Sequence, residues 1–214
     1  VNIGNIPLGS EYPIRTQSMA NTLTSDLQGS MAQCIRIINA GADYVRFTVP
    51  SLNDVAAFAA IKKELQRQHY KTPIVADVHF NAELALQVAD HADKVRINPG
   101  NYGTVEKFVQ LVEKCRIRRV ALRIGVNHGS LSERIMDKFG DTPEGMAESA
   151  MEFLRICRDL QFDQVVVSMK SSNVRVMVQS TRLVAHKMHE EGMNFPLHLG
   201  VTEAGEGEDG RIKS

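Results

Sequence analysis

The chain has 214 residues, 43 % hydrophobic and 23 % charged, which is enough for one sizeable core in an ordinary globular protein. Lys plus Arg and Asp plus Glu both number 25, so the net charge is zero, and no global positive excess exists to hold nucleic acid or an anionic membrane surface. The N-terminus has neither a basic start nor an apolar signal core, and no apolar run approaches membrane-spanning length.

Val1 to Gly9 alternates apolar and turn residues and predicts a hairpin, set apart as an N-terminal element over residues 1–12. From Pro13 to the end, strand-like and helix-like segments alternate. Strands are expected at 14–19, 43–49, 73–79, 93–98, 119–125, 163–170 and 195–200, and helices at 26–40, 53–68, 81–90, 104–115, 143–160 and 174–191. Asp26 and Asn53 stand where helix N-caps belong, Gly41 and Gly192 where helices stop, and Thr142-Pro143 gives a cap followed by proline at the first helical position. The one flexible stretch, Glu203 to Gly210, follows the last strand, where an active-site loop would belong. Cys34, Cys115 and Cys157 are far apart, odd in number and inside predicted helices, as reduced buried thiols of a cytosolic protein would be.

Strands joined by helices imply parallel pairing through right-handed crossovers. A doubly wound dinucleotide fold calls for a Gly-x-Gly-x-x-Gly turn after the first strand, and Gln17-Ser18-Met19-Ala20-Asn21 supplies none. A (β/α)₈ TIM barrel instead places functional residues at the C-terminal ends of many strands, as found here, and takes about 250 residues. The expected fold is therefore a (β/α)₈ barrel over 13–214, truncated before its eighth strand. The start at Val1 without methionine and the stop at Ser214 in mid-pattern suggest an excised fragment.

Side chains two apart in a strand point the same way. Asp77 and His79 thus share a side at one strand end, as do Arg96 and Asn98, Arg123 and Asn127, and Ser168 and Lys170 at others. Arg46, Arg96, Arg123 and Lys170 put cations at four strand ends. Converging at one barrel mouth, they would repel one another unless an anion neutralised them. Guanidinium forks suit phosphate, and a lysine adds a mobile point charge. The turns Asn98-Pro99-Gly100-Asn101 and Asn127-His128-Gly129-Ser130 can aim backbone N–H groups at the same ligand. Asp77-x-His79 lacks a third metal ligand and is read as a hydrogen-bonding or proton-transfer pair. Glu203, a carboxylate beside a cationic site, is read as an acid/base group.

Together, Gln17-Ser18-Met19, Val45-Arg46-Phe47-Thr48-Val49-Pro50, Ala76-Asp77-Val78-His79-Phe80-Asn81, Arg96-Ile97-Asn98-Pro99-Gly100-Asn101, Arg123-Ile124-Gly125-Val126-Asn127 with Gly129-Ser130, and Pro196 to Gly205 continued by Gly210 and Ile212-Lys213-Ser214 resemble the 4-hydroxy-3-methylbut-2-enyl diphosphate synthase family. The resemblance implies a TIM barrel that binds 2-C-methyl-D-erythritol 2,4-cyclodiphosphate. It also implies a separate C-terminal domain carrying a [4Fe–4S] cluster, and reductive ring opening with loss of water in isoprenoid biosynthesis. By motif, Arg46, Arg96, Arg123 and Lys170, helped by Asn98, Asn127 and His198, are the substrate-binding groups. Asp77 and His79 lie near the carbon skeleton, and Glu203 is the proton donor. The family further implies ferredoxin or flavodoxin as electron donor, a homodimer at full length and a bacterial cytoplasmic setting. Cys34, Cys115 and Cys157 match none of the cluster ligands, so this segment is expected to hold no cluster and to be inactive alone. Ser168-Met169-Lys170-Ser171-Ser172-Asn173 departs from the usual Ser-Val-Lys-Ala-Ser-Asp but keeps the lysine, and His128 replaces a more common Trp or Ala.

Two other readings of the residues stand beside this one. A pterin-type barrel synthase also uses Asp, Asn, Lys and Arg at a barrel mouth. A non-catalytic domain that binds a phosphorylated metabolite would need the same cations.

Overall fold

The computed structural model describes residues 1–205 and 207–213. Glu206, in the loop expected at 203–210, and Ser214, at the end of the last motif, lie outside the described residues. The chain forms two compact units, one of Val1–Ile97 with Tyr102–Leu122, the other of Asn98–Asn101 with Arg123–Ser214.

The first unit opens with an antiparallel hairpin, β1 (Asn2–Ile3) and β2 (Ile6–Pro7). Ile3 is fully buried, and a Cβ at Gly4 would sit 3.1 Å from both Asp93 and Pro73, so the hairpin packs closely on this unit. Next come β3 (Gln17–Met19), α1 (Leu27–Asn39), β4 (Tyr44–Thr48), α2 (Leu52–Arg67), β5 (Ile74–Asp77), α3 (Ala82–Val88), β6 (Lys94–Ile97) and α4 (Val105–Arg118). The strands pair in parallel in the order β3-β4-β5-β6. The register aligns Arg46 with Val75 and Lys94, and Thr48 with Asp77 and Arg96. Tyr44, Arg46, Thr48, Asp77, Lys94 and Arg96 therefore share one face of the sheet. Val45, Phe47, Ile74, Ala76, Val95 and Ile97 occupy the other and are all buried. Phe47 meets Phe58 of α2 edge-on, ring centroids 6.1 Å apart. On the polar face the Lys94 ammonium lies 4.8 Å from the Tyr44 ring.

The expected helices are present, with caps that explain their starts. Asp26 accepts from the Gly29 N–H, as its position in the sequence suggested. α2 starts one residue earlier than expected, because Ser51 rather than Asn53 caps it by accepting from the Asp54 N–H. The first expected strand shrinks from 14–19 to Gln17–Met19, and Ile14 is left 95 % exposed.

The second unit contains a short 3₁₀ turn (Pro99–Asn101), most of β7 (Ala121–Asn127), α5 (Glu133–Phe139), α6 (Pro143–Asp159), β8 (Val165–Lys170), α7 (Val174–Glu190) and α8 (Gly207–Lys213). β7 lies beside β8. Thr142 caps α6 by accepting from the Gly145 N–H, with Pro143 in the first turn as expected. Three expectations change. The strand expected at 195–200 pairs with β8 only through a parallel bridge of Leu197 with Val167, fixed by Val167 N–H to Pro196 O (3.0 Å) and His198 N–H to Val167 O (2.7 Å). The stretch expected as a flexible loop over 203–210 runs into helix α8, which begins at Gly207. Helix α5, not expected, fills part of the segment after β7.

Candidate functional site

In the first unit the end of β5 organises four of the candidate residues. Asp77 is 1 % exposed and receives three contacts. The Arg46 Nη2 pairs with its Oδ2, the Arg96 Nη1 donates to its Oδ1 at 3.0 Å, and the His79 Nε2 lies 3.1 Å from Oδ2. The register makes this possible: Asp77 and Arg96 stand abreast on adjacent strands, and Arg46 reaches up from two residues below Thr48. The Arg96 Nη1 also lies 2.7 Å from the His79 Nε2. That nitrogen carries either a hydrogen or a lone pair, so it can donate to Asp77 or accept from Arg96, not both at once.

Burial alone would push the Asp77 carboxyl up. The His79 hydrogen bond and the Arg46 and Arg96 charges outweigh it and hold the group well below the usual carboxylate range. Asp77 is thus a fixed anion. Two guanidiniums thus converge on one carboxylate. The Arg46 Nε–H is buried and has no acceptor among the described residues.

The residue after His79 escaped the sequence reading. The Asn81 N–H donates to the His79 carbonyl at 2.8 Å, closing a three-residue turn centred on Phe80. Phe80 has φ +61°, a strained value for a bulky side chain, and the residue is 80 % exposed. Asn81 then caps α3 by accepting from the Glu83 N–H.

The second unit holds the remaining candidates. Arg123 of β7 is completely buried, and its Nε and Nη2 donate to the Ser168 hydroxyl of β8 at 3.0 and 2.8 Å. Asn98 is 1 % exposed. Its Oδ1 accepts from the Gly100 N–H at 3.1 Å, and its Nδ2 donates to the Ser130 Oγ at 2.9 Å. Ser130 in turn donates to the Asn127 carbonyl at 3.0 Å. The Asn98 and Asn127 turns, read separately in the sequence, are thereby joined. Lys170 ends β8, and its carbonyl accepts from the His128 N–H at 2.9 Å. A Cβ on Gly200 would come within 3.4 Å of the Lys170 ammonium, so this glycine lets the lysine lie close against the 197–201 segment. His198 is half-buried beside the Leu197 bridge. Glu203 is exposed, at φ +53°, with no hydrogen bond or ion pair among the described residues.

The cysteines do not fit an iron–sulfur cluster. Cys34, Cys115 and Cys157 lie buried in three different helices, and burial pushes the Cys34 and Cys115 thiols up to about 12. Among the described residues no group of three His, Cys, Asp or Glu side chains could hold a metal ion. No described helix is long and apolar enough to cross a membrane.

The sequence profile of the GcpE TIM-barrel domain matches residues 1–214. A 4-hydroxy-3-methylbut-2-en-1-yl diphosphate synthase (flavodoxin) from Parabacteroides distasonis is 51 % identical over 99 % of this chain, which spans 38 % of that relative's length. A 4-hydroxy-3-methylbut-2-en-1-yl diphosphate synthase (ferredoxin) from a Synechococcus strain is 50 % identical over the whole chain, which spans 59 % of its length. Among solved structures, a type I 3-dehydroquinate dehydratase from Clostridium difficile superposes with a TM-score of 0.64, covering 95 % of this chain and 81 % of that one. At 11 % identity this last likeness shows the fold alone.

Proposed function

The chain belongs to the GcpE TIM-barrel domain family, and on that premise we propose that it is the substrate-binding part of a 4-hydroxy-3-methylbut-2-enyl diphosphate synthase. The substrate would be 2-C-methyl-D-erythritol 2,4-cyclodiphosphate. Its reduction takes up two electrons and two protons, opens the ring at a carbon–oxygen bond to phosphate, and releases one water. The single observation that supports anion binding most directly is the convergence of Arg46 and Arg96 on the buried Asp77 beside His79, with the Arg46 Nε–H lacking an acceptor among the described residues. A phosphate oxygen would supply the missing acceptor.

Each group then has a task set by its surroundings. Arg46 and Arg96 bind phosphate oxygens while Asp77, held ionised, fixes the direction of both forks. His79 uses whichever ring face its Nε2 partner leaves available to touch the ligand near its carbon skeleton. Arg123, Lys170, Asn98, Asn127 and His198 are the further binding groups. Glu203, exposed and without a partner, is the acid that delivers a proton to the departing hydroxyl. A [4Fe–4S] cluster held outside these residues would supply the electrons, with flavodoxin or ferredoxin, named in the descriptions of the relatives, as donor. A homodimer in the bacterial cytoplasm completes the reading.

Titration of the cyclodiphosphate into the full-length enzyme tests it. Arg96→Ala is expected to weaken binding by about 30-fold or more, the cost of deleting one member of a buried charged contact. Wild-type affinity in Arg96→Ala, with an unchanged circular dichroism spectrum, would remove Arg96 from the site. Glu203→Gln is expected to leave affinity in place and lower turnover by about 100-fold, the lower range for a lost proton donor.

A further inference from the structure

The turns at residues 98–101 and 127–130 are not two independent loops. A Cβ on Gly100 would lie 1.8 Å from the Ser130 carbonyl oxygen, so the two backbones touch as only glycine permits. A directed relay runs through the contact: Gly100 N–H to Asn98 Oδ1, Asn98 Nδ2–H to Ser130 Oγ, and Ser130 Oγ–H to the Asn127 carbonyl. A serine hydroxyl has one hydrogen. Because Asn127 takes it, Oγ can only accept from Asn98, and that fixes which end of the Asn98 amide is nitrogen. Without the hydroxyl, only the Gly100 N–H would hold the amide in that orientation.

Asn98 has two Nδ2 hydrogens, and only one is committed to Ser130. The other has no acceptor among the described residues. No carboxylate takes part in the relay, so its surplus is a donor suited to an anionic or carbonyl oxygen. We propose that Ser130 is a positioning residue: its hydroxyl orients Asn98 so that the remaining Nδ2–H is presented to a phosphate oxygen of the substrate. This assignment rests on the diphosphate-binding reading above. It adds a residue that acts on the ligand only through a neighbour.

A thermodynamic cycle on the full-length enzyme separates this role from a general structural one. Cyclodiphosphate affinity is measured for wild type, Ser130→Ala, Ser130→Thr, Asn98→Ala and the Ser130→Ala/Asn98→Ala double variant. Ser130→Ala is expected to weaken binding by about tenfold, the scale of a lost hydrogen bond to a charged group. Ser130→Thr, which keeps the hydroxyl, is expected to stay within about threefold of wild type. In the Asn98→Ala background the Ser130→Ala change is expected to have almost no further effect, since groups acting as one unit are non-additive. An equal loss in both backgrounds would show that Ser130 acts independently of Asn98 and would overturn the assignment, as would normal affinity in Ser130→Ala. If Ser130→Ala fails to fold, Ser130→Thr carries the test, because a loss of affinity in that folded variant would also overturn it. A folded wild-type enzyme that binds no cyclodiphosphate would overturn the diphosphate reading itself, a result distinct from any pattern among the variants.

Discussion

Asp77 shows how one residue decides the character of a site. Its carboxylate is buried with two guanidiniums and an imidazole, and their attraction, exceeding the penalty of burial, holds it ionised. Its pKa is lower folded than unfolded, and an unfolded aspartate titrates near about 3.9. The stabilisation it gives is therefore fully present above about pH 4 and is lost as the pH falls from there towards the depressed folded value. Asp77→Asn leaves Arg46 and Arg96 buried without their anion and is expected to cost about 3–5 kcal/mol. Chemical denaturation of the intact enzyme between about pH 7 and pH 2.5 checks both the size and the sign, with the gap between wild type and variant narrowing below about pH 4. A gap that stayed constant down to the lowest pH would mean that the lost stability was packing and not charge. The two-residue period of a strand told which side chains share a face, and hence grouped Asp77 with Arg96 once the register was known. It did not tell that Asp77 would neutralise part of the repulsion among the cations. That is a cross-strand contact, and a single sequence carries no register.

At the scale of elements, the helices were legible because their caps and apolar stripes are local. Asp26 and Thr142 cap where their positions say they should. The failures have local causes too. Helix α5 is seven residues long and buries only Ile135, too little to impose a helical period. The segment at 195–200 has the alternation of a strand but finds pairing at Leu197 alone. What joins α6 to α7 was not legible, since the partners are far apart in sequence. Arg155 donates to both oxygens of Glu191 through Nε at 3.0 Å and to Glu148 at 2.7 Å, while Lys187 reaches Glu144 at 2.8 Å and Glu148 at 3.2 Å. Such a forked network exceeds an isolated surface pair, yet Arg155 remains 34 % exposed and water screens it. Arg155→Ala is expected to cost about 1 kcal/mol, seen as a fall in Tm of roughly 2–4 °C for a chain of this size. In about 1 M salt, where the screening length is about 3 Å, most of that difference should vanish. If it persisted, the apolar stem of the arginine would be the stabilising part.

At the scale of the whole molecule, zero net charge coexists with polar residues concentrated at strand ends, where a purely structural fold would place apolar ones. Buried Arg96, Arg123 and Asn98 and the fixed anion Asp77 each reduce the hydrophobic stabilisation available, and binding groups set in advance are the compensating gain. A ligand that recognises only the folded chain must raise its stability by mass action. For the 214 residues studied apart from the rest of a longer protein, cyclodiphosphate at a hundredfold excess over Kd should add about 2.7 kcal/mol, an upward shift of roughly 5–10 °C in the midpoint of thermal unfolding. The shift should shrink in Arg96→Ala and in Ser130→Ala, one variant from each compact unit. A cooperative transition that the ligand moves in wild type, and less in both variants, means that the binding groups are already in place within these residues. A cooperative transition that the ligand leaves unmoved means that affinity depends on parts of the longer enzyme beyond them, and that the cations around Asp77 meet the ligand only in the assembled protein.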